Sequence, residues 1–99
     1  MRAAFVVPGP SGGRLEIREV ETPKVAPGRV LVRVRASGLN RGEVLYKHAA
    51  LKGAPYIGGV EFAGEITALG DGVSGLSVGQ RVMGHGAATQ ADFTMTSAQ

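Results

Sequence analysis

The chain has 99 residues, 43% hydrophobic and only 5% aromatic, with no tryptophan, which allows one domain at most, built around a thin core of Val, Ile, Leu and Ala. Its formal charge of +3 comes from Arg and Lys scattered from Arg2 to Arg81 among Asp and Glu, so there is no basic tract to hold nucleic acid. Zero cysteines exclude disulfides and thiolate metal sites and make the cytoplasm the expected compartment; no apolar run reaches the length of a signal peptide or a membrane span.

Sixteen Gly and five Pro interrupt the chain every few residues, a spacing that suits short strands joined by turns. Ala3 to Val7 is an apolar run closed by the turn-forming Pro8 to Gly13, and Leu15 to Val20 then alternates with period two, so both are predicted strands. After the break from Pro23 to Gly28, Val30, Val32, Val34 and Ala36 are expected on one strand face. Leu31, Arg33 and Arg35 fall on the other, where the arginines would be solvated. Asn40 can cap a short helix running to His48, with Glu43 placed to reach back as a capping-box acid, and Gly53 and Pro55 ending the segment. Phe62 to Leu69, Arg81 to Met83 and Asp92 to Met95 are three further predicted strands. The sum is a mostly β, partly open β-barrel with one short helix.

Gly70-Asp71-Gly72-Val73-Ser74-Gly75 spells G-x-G-x-x-G after a predicted strand, with Asp92 about twenty residues on, as in the dinucleotide fingerprint. That fingerprint needs a helix whose amide end meets the pyrophosphate, and Leu76 to Arg81 has no helical periodicity, so a turn between strands is expected instead. The two histidines, His48 and His85, cannot make a zinc set without cysteine. His48 suits an exposed helix end, and His85, between Gly84 and Gly86, reads as a loop residue. Glu61 sits in an apolar stretch and would need a partner or a structural role if buried.

The segments Val30-Leu31-Val32-Arg33-Val34-Arg35-Ala36-Ser37-Gly38-Leu39-Asn40-Arg41-Gly42-Glu43, Gly58-Gly59-Val60-Glu61-Phe62-Ala63-Gly64-Glu65-Ile66, Gly70-Asp71-Gly72-Val73 and Val78-Gly79-Gln80-Arg81-Val82-Met83-Gly84 together resemble the GroES-like domain of medium-chain dehydrogenases. The likeness covers nearly the whole chain, with Gln80 where the family usually has Asp and Gly58 where Pro is common. In the zinc alcohol dehydrogenases of that family a Cys and the His of a Gly-His-Glu ligate the catalytic metal. Asn40 and Val60 stand at those positions, and the cysteine-rich structural zinc lobe is missing. The chain is therefore similar to the zinc-independent branch, the NADPH:quinone oxidoreductases, zeta-crystallin-like enzymes and polyketide enoyl reductases.

That resemblance implies NADPH as cofactor, no zinc, and a quinone or conjugated carbonyl as hydride acceptor, with orientation and hydrogen bonds in place of a Lewis acid. Asn40 would orient the nicotinamide or polarise the acceptor oxygen, or only cap its helix. Arg41 matches a position that approaches the cofactor pyrophosphate, or is a surface arginine. Tyr46 would offer a hydroxyl to the substrate cleft, or pack against the barrel. The family's nucleotide-binding Rossmann domain lies downstream of the stretch represented by these 99 residues, so the expectation is a catalytic-domain portion that needs that domain or subunit as partner, is inactive alone, and self-associates through uncovered apolar strand edges. The other class of function considered is a non-enzymatic GroES-like barrel used as a binding or assembly module.

Overall fold

The computed structural model describes residues 1–7, 14–39 and 55–98. The segment expected to be a helix, Asn40 to His48, lies outside them. Among the described residues seven strands form: β1 (Arg2–Val7), β2 (Arg14–Glu19), β3 (Arg29–Ser37), β4 (Tyr56–Ile57), β5 (Glu61–Leu69), β6 (Arg81–His85) and β7 (Phe93–Ser97). They make a three-stranded sheet of order β2-β1-β4 and a four-stranded sheet of order β6-β5-β3-β7, antiparallel at every pairing. Among the described residues there is no helix, and the two sheets are not closed into a barrel.

Residues 90–92 stitch the sheets together. The Ala4 amide donates to the Gln90 carbonyl at 2.8 Å, the Asp92 amide to Arg2 at 2.9 Å, and the Val34 amide to Asp92 at 2.9 Å. The backbone groups of β1 and β3 that face this gap thereby find partners without a direct ladder.

The core lies on one face of the larger sheet. Val30, Val32, Phe62 and Ile66 are buried together, with Val34, Leu69, Val73, Leu76 and Val82 packed around them. Val30, Val32 and Val34 thus sit on the inward face as their period-two spacing requires. Arg33 and Arg35 are exposed on the outward face, and the Arg35 Nε donates to Glu65 at 2.8 Å.

Two irregularities in the β3–β5 ladder break the simple alternation. Leu31 faces Ala68 while Val32 faces Ile66, leaving Thr67 as an extra residue on β5; Val34 faces Gly64 while Ala36 faces Ala63, leaving Arg35 as an extra residue on β3. A bulge puts two consecutive residues on one side of the sheet. Ala36, expected inward with the valines, is therefore outward and exposed beside Arg35. Leu31, expected on the solvated face, is buried there, at the level where Met95 faces it from β7 and the Ala26 amide meets the Met95 sulfur at 3.3 Å.

Two strands differ from expectation. β4 went unanticipated because two residues carry no periodicity to read. β6 runs on to His85, so His85 is a strand residue and not a loop residue. Its flanking glycines lie over the Phe62 ring, where a Cβ at Gly84 or Gly86 would come within 3.4 and 3.6 Å.

Gly64 is where the ladder closes most tightly: a Cβ there would overlap the Arg33 carbonyl oxygen. Gly72 is the opposite case, with φ at +83° and open space around it. Gly64→Ala must displace backbone and is expected to cost about 3 kcal/mol or to prevent folding, whereas Gly72→Ala should cost about 1 kcal/mol of left-handed strain. Urea unfolding midpoints check the order, and equal losses would contradict it.

Candidate functional site

On the outward face of the larger sheet, residues 36–38 of the β3 end, 61–63 of β5 and 83–85 of β6 line an open cleft of about 560 Å³. The register explains the grouping. Ala36 faces Ala63, Ala63 faces Met83, and Glu61 faces His85, and residues directly opposite one another share a sheet face. Without the extra residue at Arg35, the Ala36 methyl would point into the core and this wall would not exist.

Hydroxyl groups brace the polar end of the cleft from behind. Ser37 Oγ donates to the Glu61 carbonyl at 3.0 Å and lies 3.0 Å from Thr89 Oγ1. A hydroxyl has one hydrogen, so the Thr89 hydroxyl is the donor to Ser37. Thr89 is fully buried, against Gly59, where a Cβ would overlap the Thr89 hydroxyl. The Gly38 amide adds a second bond to the Glu61 carbonyl at 3.3 Å, and the Gly86 amide donates to Val60 at 2.8 Å. The β5 entrance is thus fixed from three sides, which holds the Glu61 backbone still while its side chain faces the cleft.

Of the residues that the sequence singles out, Asn40, Arg41, Tyr46 and His48 lie outside the described residues. Val60, at the second ligand position of the zinc enzymes, presents only hydrocarbon. Glu61 is half-buried at the cleft mouth and not sealed in the core. Met83, 84% exposed, and His85 were missed as cleft residues; the signal that could have found them is the β5–β6 register, which puts every second residue of Arg81–His85 beside Glu61, Ala63 or Glu65.

The glycine-rich segment is a turn. The Val73 amide donates to Gly70 at 3.2 Å and the Gly28 amide to Asp71 at 2.9 Å, and no helix follows. Asp92, the acid at the fingerprint distance, instead accepts the Arg2 amide at 2.8 Å and pairs with the Arg2 guanidinium at 3.5 Å. The described residues therefore offer no cradle for a dinucleotide pyrophosphate, and among them no group of three His, Cys, Asp or Glu could hold a metal ion.

The chain belongs to the alcohol dehydrogenase GroES-like domain family, whose model matches residues 26–98. Among curated proteins it is 41% identical over 95 residues to a phenolphthiocerol/phthiocerol polyketide synthase of Mycobacterium tuberculosis, covering 89% of this chain and 4% of that protein. It is 39% identical over 82 residues to the acryloyl-coenzyme A reductase of Metallosphaera sedula, covering 81% and 24%. Among solved structures, an alcohol dehydrogenase superfamily protein from Novosphingobium aromaticivorans superposes with a TM-score of 0.88 at 32% identity, over 99% of this chain and 32% of that one. A mycobacterial quinone oxidoreductase gives 0.80 at 26% over 98% and 31%, and a mycobacterial protein complexed with NADPH gives 0.82 at 27% over 99% and 32%. The chain thus spans about a quarter or less of these curated relatives and about a third of these solved chains.

The Arg2 amide hydrogen bond, aided by the Arg2 guanidinium and opposed by partial burial, holds the Asp92 carboxyl below its ordinary pKa. A depressed folded-state value means that this contribution to stability is present above the unfolded pKa of about 3.9 and is lost as pH falls through the folded value. Asp92→Asn should therefore flatten the fall in stability on acidification below about pH 5. Denaturation midpoints taken across that range check it, and an unchanged slope would contradict it.

Proposed function

We propose that these residues are the N-terminal catalytic-domain portion of a cytoplasmic, NADPH-dependent, zinc-independent oxidoreductase that delivers hydride to a quinone or conjugated carbonyl. The observation that carries the reading is the cleft: an apolar wall with one polar end, on a domain whose family supplies the substrate side of a reductase. The relatives that support it are a quinone oxidoreductase, an acryloyl-coenzyme A reductase and a structure complexed with NADPH. Asn40 and Val60 at the two ligand positions favour a zinc-free site, since neither side chain binds zinc as Cys and His do.

In this reading the hydride is the cofactor's chemistry, and the cofactor is held chiefly by a nucleotide-binding domain or subunit. The present residues orient the acceptor against an apolar surface and keep water from it. Asn40 is the proposed catalytic and nicotinamide-side residue, Tyr46 the proposed hydroxyl donor to substrate, and Arg41 the proposed pyrophosphate contact.

Asn40 and Arg41 together supply two or three hydrogen bonds worth about 1 kcal/mol net each. That does not offset the roughly 4 kcal/mol or more lost in immobilising a ligand. Titration calorimetry of the 99-residue chain should accordingly show no NADPH affinity tighter than millimolar, and no quinone reduction should follow. Micromolar affinity or turnover by this chain alone would contradict the division of labour.

A further inference from the structure

The cleft contains a carboxylate that the fold leaves unpaired. Glu16, Glu19, Glu65 and Asp92 each sit within 4 Å of a cation, supplied by arginines or by the N-terminal amine, and the other described acids without an ion pair, Glu21 and Asp71, are exposed and outside the cleft. Glu61 has neither an ion-pair partner nor a side-chain hydrogen-bond partner among the described residues, and neither has the His85 imidazole that faces it across β5 and β6. The Glu61 Oε2 lies 3.0 Å from where a Cβ on Gly38 would stand, so any side chain at position 38 would crowd the carboxylate. Around it the wall is carbon: the Ala36 and Ala63 methyls and the flexible, exposed Met83 thioether.

A carboxylate only accepts hydrogen bonds, and a charged acceptor beside apolar surface selects a ligand that brings a donor on an otherwise apolar body. Small flat side chains form a wall that a planar ring can cover, a thioether adapts to a ring edge, and a cleft of about 560 Å³ lies in the range of small-molecule sites. We infer that the cleft binds a hydroxyl-bearing aromatic ring, with the ring on Ala36, Ala63 and Met83 and its hydroxyl donating to Glu61. A neutral quinone oxygen can only accept and gains no hydrogen bond from the Glu61 carboxylate; the hydroquinone made by its reduction can donate. The apolar wall can thus carry the quinone and hold its reduced form more tightly, and His85 is a second polar group lining the cleft. The identification of the ring with a reduced quinone rests on the reductase reading above, whereas the preference for a donor does not.

Two stable probes that differ in one group test this: 2-naphthol, which donates, and 2-methoxynaphthalene, which cannot. Each is titrated into the full chain with amide shifts of Ala63 and His85 as the readout and no NADPH present, so failure of the cofactor assignment leaves the outcome untouched. The naphthol should bind about tenfold tighter, the ratio given by one charge-assisted hydrogen bond. Glu61→Gln should bring the two affinities within about twofold, while Met83→Ala should weaken both alike. Equal affinities for the unmodified chain, a preference that survives Glu61→Gln, or no shift at these amides with either probe at millimolar concentration would overturn the inference. The probe comparison in the unmodified chain keeps it falsifiable if the Glu61 variant does not fold.

Discussion

The pairing of β3 with β5 is what the rest of the molecule depends on. These are the longest strands, and they form the centre of the larger sheet, with β6 and β7 added on either side. Their inward faces supply all four buried residues of the core cluster. Close approach at Gly64 sets the spacing of the ladder, and the extra residues at Thr67 and Arg35 set which side chains face which way. The Thr67 hydroxyl secures its bulge by donating to the Leu31 carbonyl at 3.3 Å. Because the side-chain period is two, each extra residue exchanges the faces beyond it. The β3 bulge therefore ends the core and begins the cleft within a single residue.

The outward face divides its polar groups into two kinds. Toward the middle of the sheet, Glu65 lies opposite Arg33 and Arg81 and pairs with Arg35; an exposed ion pair of this sort contributes little to stability, and its role is to keep that face solvated. Toward the β5 entrance, Glu61 and His85 have no such company. The hydroxyl clamp of Ser37 and Thr89 spends its hydrogen bonds on the Glu61 backbone and not on its carboxylate. Rigid main chain beneath uncommitted side chains is the arrangement that binding sites need.

Much of this could be read from the residues. A short apolar run located β1, period-two alternation located β2 and β3, Phe62 to Leu69 stood out as a further strand, and the missing helix after Gly75 was legible from Leu76 to Arg81. The motif-by-motif likeness from Val30 to Gly84 placed the chain in its family. What could not be read was register. The bulge at Arg35 leaves no compositional trace, so Ala36 counts as a fourth inward residue in any periodic reading. β4 is too short to have a period, and the glycines beside His85 resemble a loop until Phe62 is known to lie against them. The cleft is assembled from three strands distant in sequence, which is why Glu61 looked like an isolated buried acid and Met83 like an ordinary strand residue.

The cleft depends on Ala36 facing outward. A carbon-edited NOESY spectrum of the methyl groups tests this directly: the Ala36 methyl should show cross-peaks to the methyls of Ala63 and none to Val82 or Ile66. Cross-peaks from Ala36 to those core methyls would mean that β3 continues unbulged to its end, and that the cleft and the chemistry assigned to it do not exist.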